Sequence, residues 1–147
     1  MQQSALLHDL GKINISRVIL NSTERLTNKE WEVIKEHPIS GADILQGEKT
    51  INEDVIAGII AHHEHWNGKG YPYHLAGKSI PLFARIIAIA DALDAMISSR
   101  PYRGNPLSVD EAIGEIACLG GQQFDPYILR DVNLQYSNSA FWELCVL

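Results

Sequence analysis

Two capping boxes constrain this chain more than any other feature. Thr27-Asn28-Lys29-Glu30 and Ser108-Val109-Asp110-Glu111 each set a hydroxyl three residues ahead of a glutamate. The hydroxyl accepts from the backbone and the carboxylate reaches back, so each pair starts a helix. Asn52 is a third cap, and Pro81 opens the longest helix as a first-turn proline does. Apolar residues then recur at helical spacing: Val55, Ile56, Ile59 and Ile60 after Asn52, and Ile86, Ile89, Ala90, Leu93 and Ile97 after Pro81. Ala112, Ile113 and Ile116 follow the second box, and Gly120-Gly121 stops that helix. No stretch alternates apolar and polar residues, and no segment repeats. The fold expected is all-α, with one core in 147 residues.

The remaining segments fit between these helices. Gln2 to Leu10 reads as helix, with Leu6, Leu7 and Leu10 turned inward and Gly11 as its stop. Lys12 to Arg25 is a connection pinned by Ile13, Ile15, Val18, Ile19 and Leu20, with one helical turn from Ser16. The helix from Thr27 runs to His37, where Pro38 imposes a break before a second piece over 39–46. The helix from Asn52 is expected to run to Trp66 and to carry His62 and His63 on its buried face. Residues 67–79 hold three of the eleven glycines and form a long loop, a common place for function. Phe124-Asp125-Pro126 leads into a last short helix, and 133–147 is a tail without clear periodicity.

Charge and composition exclude several roles. A net charge of −6 argues against a DNA- or RNA-binding face. No apolar run reaches the ~20 residues of a membrane span, and the start lacks a secretory pattern. Cys118 and Cys145 are few and lack knuckle spacing, which fits reduced thiols in a cytoplasmic protein.

The chemistry sits in adjacent pairs. His8-Asp9 offers a nitrogen beside a carboxylate that two cations can share. His62 and His63, as helical neighbours, point about 100° apart, so they serve two ions, one each. Taken singly, each feature also has a plain reading. His8-Asp9 reads as a surface pair and His62-His63 as one packed and one exposed ring. His37 reads as a helix-end residue and Asp91 as a solvated carboxylate. Lys12, Arg100 and Arg103 read as surface charge. Jointly, imidazoles with carboxylates suit zinc, manganese or iron, and the cations suit phosphate. Together they outline a phosphodiester hydrolase.

The ordered set resembles the HD-GYP domain, a branch of the HD phosphohydrolase superfamily. It comprises His8-Asp9, Gly11-Lys12, His37-Pro38, His62-His63-Glu64, Gly70-Tyr71-Pro72, Ile80-Pro81, Ala84-Arg85-Ile86, Asp91 and Arg100-Pro101-Tyr102-Arg103. The resemblance implies an all-helical HD-domain bundle over residues 1–132 that hydrolyses cyclic di-GMP to pGpG and, in some members, to GMP. It implies two or three divalent metals, iron or manganese, held by His8, Asp9, His37, His62, His63 and Asp91, with Asp9 bridging. Lys12, with Asp9 a catalytic residue, contacts phosphate, and Arg100 and Arg103 hold the substrate phosphates. Gly70, Tyr71 and Pro72 form a rim loop or a docking point for a diguanylate cyclase (GGDEF) partner. Asn67 stands where the family commonly has Asp, and His74 where it commonly has Gly. Only seven residues precede His8, so the expectation is a bundle lacking its first helix or helices, prone to self-association through the exposed N-terminal side. Two alternatives accompany this reading. One is a catalytically incomplete module that binds cyclic di-GMP or a cyclase. The other is a different HD-type nucleotide phosphohydrolase.

Overall fold

A computed structural model describes residues 2–99 and 105–133. Among them the regular structure is helical, and the only ladder fragments are two isolated bridges, Asn67 with Ala76 and Gly120 with Phe124. The order is α1 (Gln2–Leu7), a 3-10 helix (Leu10–Asn14), α2 (Arg17–Leu20), α3 (Asn28–Lys35), α4 (His37–Leu45) and α5 (Glu53–Ala61). A second 3-10 helix (Gly77–Ser79), α6 (Leu82–Ile97), α7 (Val109–Cys118) and α8 (Pro126–Asn133) follow. The all-α expectation holds. No helix among the described residues is long and apolar enough to cross a membrane.

Both capping boxes form. Thr27 accepts from the Glu30 amide while Glu30 takes the Thr27 amide at 2.8 Å, and Ser108 and Glu111 repeat the pattern at 2.9 Å. Asn52 caps α5 through the Val55 amide, and Ser16 starts α2.

Helix α6 packs against α5 on one side and α7 on the other. Its buried residues are Ala84 and Ile87. Ala84 closes a cluster with Ala61 and Ile80, onto which Leu75 packs. Ala88, Ile89, Ala92, Leu93 and Met96 cover a second cluster of Ile116, Phe124 and Leu129. The stripe expected from sequence was therefore rotated: Ala90 is exposed, and Asp91 lies one turn beyond Ile87 on the inner ridge. A helix packed on two sides has no single apolar stripe to read. Arg85 ties these layers together. It donates to the Ile80 carbonyl at 2.9 Å and to buried Asp125, which accepts from the Tyr127 amide at the start of α8.

Several local expectations are corrected. Helix α1 ends at Leu7, and Leu6 is 83% exposed while Leu7 and Leu10 are partly buried, so only two of the three leucines turn inward. Gly11 is not a helix stop but a buried point of close approach. A Cβ there would lie 2.0 Å from the His37 carbonyl oxygen and 2.5 Å from the Gly41 amide. Only a residue without a side chain lets the first 3-10 helix lie against α4. In the connection, Ile15 is buried and Ile19 and Leu20 partly so, while Ile13 and Val18 are exposed. The break near Pro38 falls one residue early, so His37 begins α4 rather than ending α3. Pro81 is the cap of α6, not its first residue. Cys118 is disulfide-bonded rather than the reduced thiol expected. The expected tail over 133–147 lies outside the described residues except for the last residue of α8.

Candidate metal centre

Helix ends build the site. His8 follows the last turn of α1, His37 follows α3, and His62 caps α5. In each ring Nδ1 meets the carbonyl oxygen three residues back: Ala5 at 2.7 Å, Ile34 at 2.7 Å and Ile59 at 2.6 Å. A carbonyl only accepts, so each Nδ1 carries the proton and donates. The terminal carbonyls of a helix need partners, and the imidazoles supply them. Each Nε2 is left with its lone pair facing inward, the tautomer a metal requires.

These nitrogens converge on Asp9. His37 Nε2 lies 3.3 Å from Asp9 Oδ1 and 3.3 Å from His62 Nε2. His8 Nε2 lies 3.6 Å from Asp9 Oδ2 and 3.8 Å from Asp91 Oδ1. Lys12 Nζ donates to Asp9 Oδ2 at 2.6 Å. The two oxygens of Asp9 thus face different neighbours, one towards His37 and the other towards His8 and Lys12. His63 completes the inner wall, its ring centre 4.1 Å from that of His62.

Here the largest correction arises. Helix α5 ends at Ala61, five residues short of the expected Trp66. The 100° separation of helical neighbours no longer applies, and His62 and His63 turn towards the same space. His37, His62 and His63 offer ligand atoms within 4.8 Å of one another, and so do His8, Asp9 and His62. His62 belongs to both groups. With Nδ1 committed it has one lone pair, so it ligates one ion at a time. Asp9 is the residue with an oxygen for each side.

The electrostatics fit a cation. Burial opposes ionisation of Asp9, but His37 and Lys12 override it and hold the carboxyl well below its usual range. The Asp91 carboxylate beside His8 raises that imidazole's pKa against the effect of burial. His8 in turn lowers Asp91. Burial pushes His62 down to about 4 and His63 lower still, so both rings are neutral at pH 7. His8 Nε2 and Asp9 Oδ1 are buried without a hydrogen-bond partner. Across 3.3 Å, the Nε2 lone pairs of His37 and His62 face each other, which a shared proton or a cation must resolve. Nitrogen and carboxylate donors at such separations suit a first-row divalent metal, and the residues present can hold one.

The loop over 67–79 supports this wall from behind. Gly70 is buried against the backbone of 63–65, and a Cβ on it would meet the His65 amide at 2.2 Å and the His63 carbonyl at 2.5 Å. The Tyr71 amide donates to that carbonyl, and the Tyr71 ring stacks on His63 with centres 4.9 Å apart. Gly70 and Tyr71 therefore brace the cage, and Pro72 follows a cis peptide bond. Glu64 follows the two site histidines directly. It is 2% exposed and accepts from the amides of Tyr73 at 2.6 Å and Leu75 at 3.1 Å, fastening both ends of the turn. Its placement directly after two site histidines was the one signal available. His74 has φ +55°, the left-handed backbone that glycine adopts without cost. His65 is half-buried in the same loop, with burial lowering its pKa. Arg100 and Arg103 lie outside the described residues. A cleft of 720 Å³ opens beside the cage, lined in part by Lys12, His37, His63, Tyr71 and Asp91.

The family model described as HD domain matches residues 1–128. A cyclic di-GMP phosphodiesterase of Thermotoga maritima is 41% identical over 131 residues, covering 88% of this chain and 35% of that protein. The cyclic di-GMP phosphodiesterase response regulator RpfG of Xanthomonas campestris is 41% identical over 127 residues, 86% of this chain and 33% of its own length. The 3'3'-cGAMP-specific phosphodiesterase 2 of Vibrio cholerae is 35% identical over 131 residues, 88% of this chain and 25% of that protein. A solved cyclic GMP-AMP-specific phosphodiesterase of V. cholerae superposes with a TM-score of 0.67 at 24% identity, covering 99% of this chain and 40% of that one. The chain thus spans about a third or less of the length of these curated relatives. With its motifs in order, its helices in place and nearly every described residue inside the match, the chain belongs to the HD domain family, as the HD-GYP resemblance implied.

Proposed function

We propose that this chain carries the catalytic core of a metal-dependent phosphodiesterase that hydrolyses cyclic di-GMP. The observation that carries the reading is the set of three imidazoles locked through Nδ1, with their Nε2 atoms gathered about one carboxylate. Such pre-set tautomers are what a metal site needs and what a packed core does not. In this reading His8, Asp9, His37, His62, His63 and Asp91 hold two divalent ions, with Asp9 shared. The mixed nitrogen and oxygen donors suit zinc, manganese or iron, and the HD-GYP resemblance favours iron or manganese. Bound there, the ions supply Lewis acidity and a nucleophilic water at neutral pH. Lys12 holds Asp9 charged and presents its ammonium to the cleft, where it can meet a phosphate oxygen. Arg100 and Arg103, outside the described residues, hold the substrate phosphates in this reading. The names of the relatives, cyclic di-GMP and 3'3'-cGAMP phosphodiesterases, support a cyclic dinucleotide as substrate.

Hydrolysis tests this directly. Protein loaded with manganese, or with iron under anaerobic conditions, should convert cyclic di-GMP to pGpG or GMP, read by chromatography. His8→Ala and Asp9→Ala should abolish turnover. No turnover by metal-loaded protein refutes the reading. A second reading is a binding module whose 67–79 loop meets a GGDEF-type cyclase. Tyr73, His74 and Lys78 favour it, being exposed on the loop's outer side. Cyclase binding that survives His62→Ala would support that role.

A further inference from the structure

We infer that Trp31 is the stacking platform for a nucleobase of the substrate, so that the cleft recognises a cyclic dinucleotide through a ring face as well as through its phosphates. This rests on the cyclic dinucleotide reading above. Trp31 lies in the first turn of α3, with Ile34 one turn on and His37 beginning α4. All three line the same cleft. From Trp31 to His37 the chain rises about 9 Å if helical throughout. That is on the scale of a nucleoside between its phosphate and its base.

Folding alone does not account for this indole. It is 46% exposed and joins neither buried apolar cluster of the described residues. Its ring stands edge-on to Tyr71, centres 6.5 Å apart at 76°, while Tyr71 stacks on His63. An aromatic line therefore leads from the cage to a half-open indole at the cleft wall. The volume of 720 Å³ matches a ligand larger than a phosphate alone. Leu20 and Leu26 line the cleft as well, so its wall offers apolar surface in addition to the Lys12 ammonium. Every base has a π-face, so stacking tolerates both guanine and adenine. Trp31 would thus serve cyclic di-GMP and 3'3'-cGAMP alike and would not choose between them.

Steady-state kinetics of metal-loaded Trp31→Ala, Trp31→Leu and Trp31→Phe test this on three substrates: cyclic di-GMP, 3'3'-cGAMP and the corresponding abasic cyclic bis(3'-5') sugar phosphate, the same diester ring without a base. Trp31→Ala and Trp31→Leu should raise KM for whichever cyclic dinucleotides the wild type hydrolyses by roughly 5- to 100-fold, with kcat nearly unchanged. Trp31→Phe should recover most of the loss, and the base-free diester should be indifferent to all three. Leucine keeps the apolar bulk, so its failure to rescue separates stacking from filling space. An unchanged KM in Trp31→Ala overturns the inference, as does an equal loss on the base-free diester. A wild type that cleaves only the base-free diester refutes the cyclic dinucleotide reading and this inference with it. Wild-type turnover of a cyclic dinucleotide with an indifferent Trp31→Leu refutes this inference alone.

Discussion

Gly11→Ala puts the architecture of the cage to a quantitative test. The added methyl carbon would sit 2.0 Å from the His37 carbonyl oxygen, 2.5 Å from the Gly41 amide nitrogen and 2.9 Å from the His37 carbonyl carbon. Comfortable non-bonded contacts lie near 3.5 Å, so the two backbones must part by about 1 Å or more. All three obstacles are backbone, and no rotamer change relieves them. Overpacking of this kind costs on the order of 3 kcal/mol, the upper part of the usual range. For a chain of this size that lowers Tm by about 10 °C. The same contact spaces Asp9 from His37, now 3.3 Å apart. A shift of about 1 Å there should lose an ion or weaken catalysis about 100-fold. Gly41→Ala is the matched comparison. Its methyl would meet the Gly11 amide at 3.1 Å and an Ile59 methyl at 3.5 Å, a much milder conflict. It also gains about 1 kcal/mol of helix propensity inside α4, so its net effect should be within about 1 kcal/mol. Thermal melts of metal-free protein, with elemental analysis of reconstituted protein, read both quantities. If Gly11→Ala melts with the wild type and keeps its metal, or if Gly41→Ala is the more harmful change, the close-approach account is wrong.

Other outcomes follow from the same geometry. His62→Ala should lower bound metal more than His63→Ala, because the Ile59 carbonyl pre-orients the His62 ring for whichever ion it ligates; equal losses by elemental analysis would contradict that. Glu64→Ala leaves two amides without their acceptor and should cost about 2–4 kcal/mol, with protease cleavage appearing first within 67–79. Asp125→Ala strips a buried partner from Arg85 and should destabilise by about 3–5 kcal/mol, while Arg85→Met with Asp125→Leu should recover most of it in urea unfolding. The capping carboxylates set a pH dependence. Hydrogen bonds from Thr27 and Ser108 lower the pKa of Glu30 and Glu111 below the unfolded value. Their contribution is therefore complete above the usual carboxylate range and is lost as pH falls through it. The helix content of wild type and of the double Glu→Gln variant should accordingly converge between about pH 5 and about pH 3.

How far the sequence could be read depended on the kind of signal. Hydroxyl-to-glutamate caps act over three residues, and Thr27 and Ser108 could be placed without knowing anything distant. The order of His8-Asp9, His37, His62-His63 and Asp91 was equally plain, because the residue types themselves carry the chemistry. The end of α5 was not. No glycine or proline marks it; His62 ends the helix with its own ring, and Gly70 packs against the backbone just beyond. That stop is tertiary, and missing it hid the convergence of two imidazoles. Gly11 misled for a related reason. A glycine after a helix suggests a local turn, and only the position of α4 shows that it is a contact between two backbones. Ala90 was misassigned because α6 is covered on two sides.

The three carbonyl anchors have a consequence for how this site tolerates mutational drift. Where a side-chain carboxylate orients a metal-binding histidine, a single codon change can remove the orienting group. Here the acceptors are the main-chain oxygens of Ala5, Ile34 and Ile59, which no substitution deletes. Those three side chains are free to vary as packing allows. What the site cannot survive is a change in where a helix terminates, such as a proline that opens the final turn. The heritable information that fixes the proton on each ring is thus written into helix length, and insertions or deletions of one residue threaten it more than most replacements do.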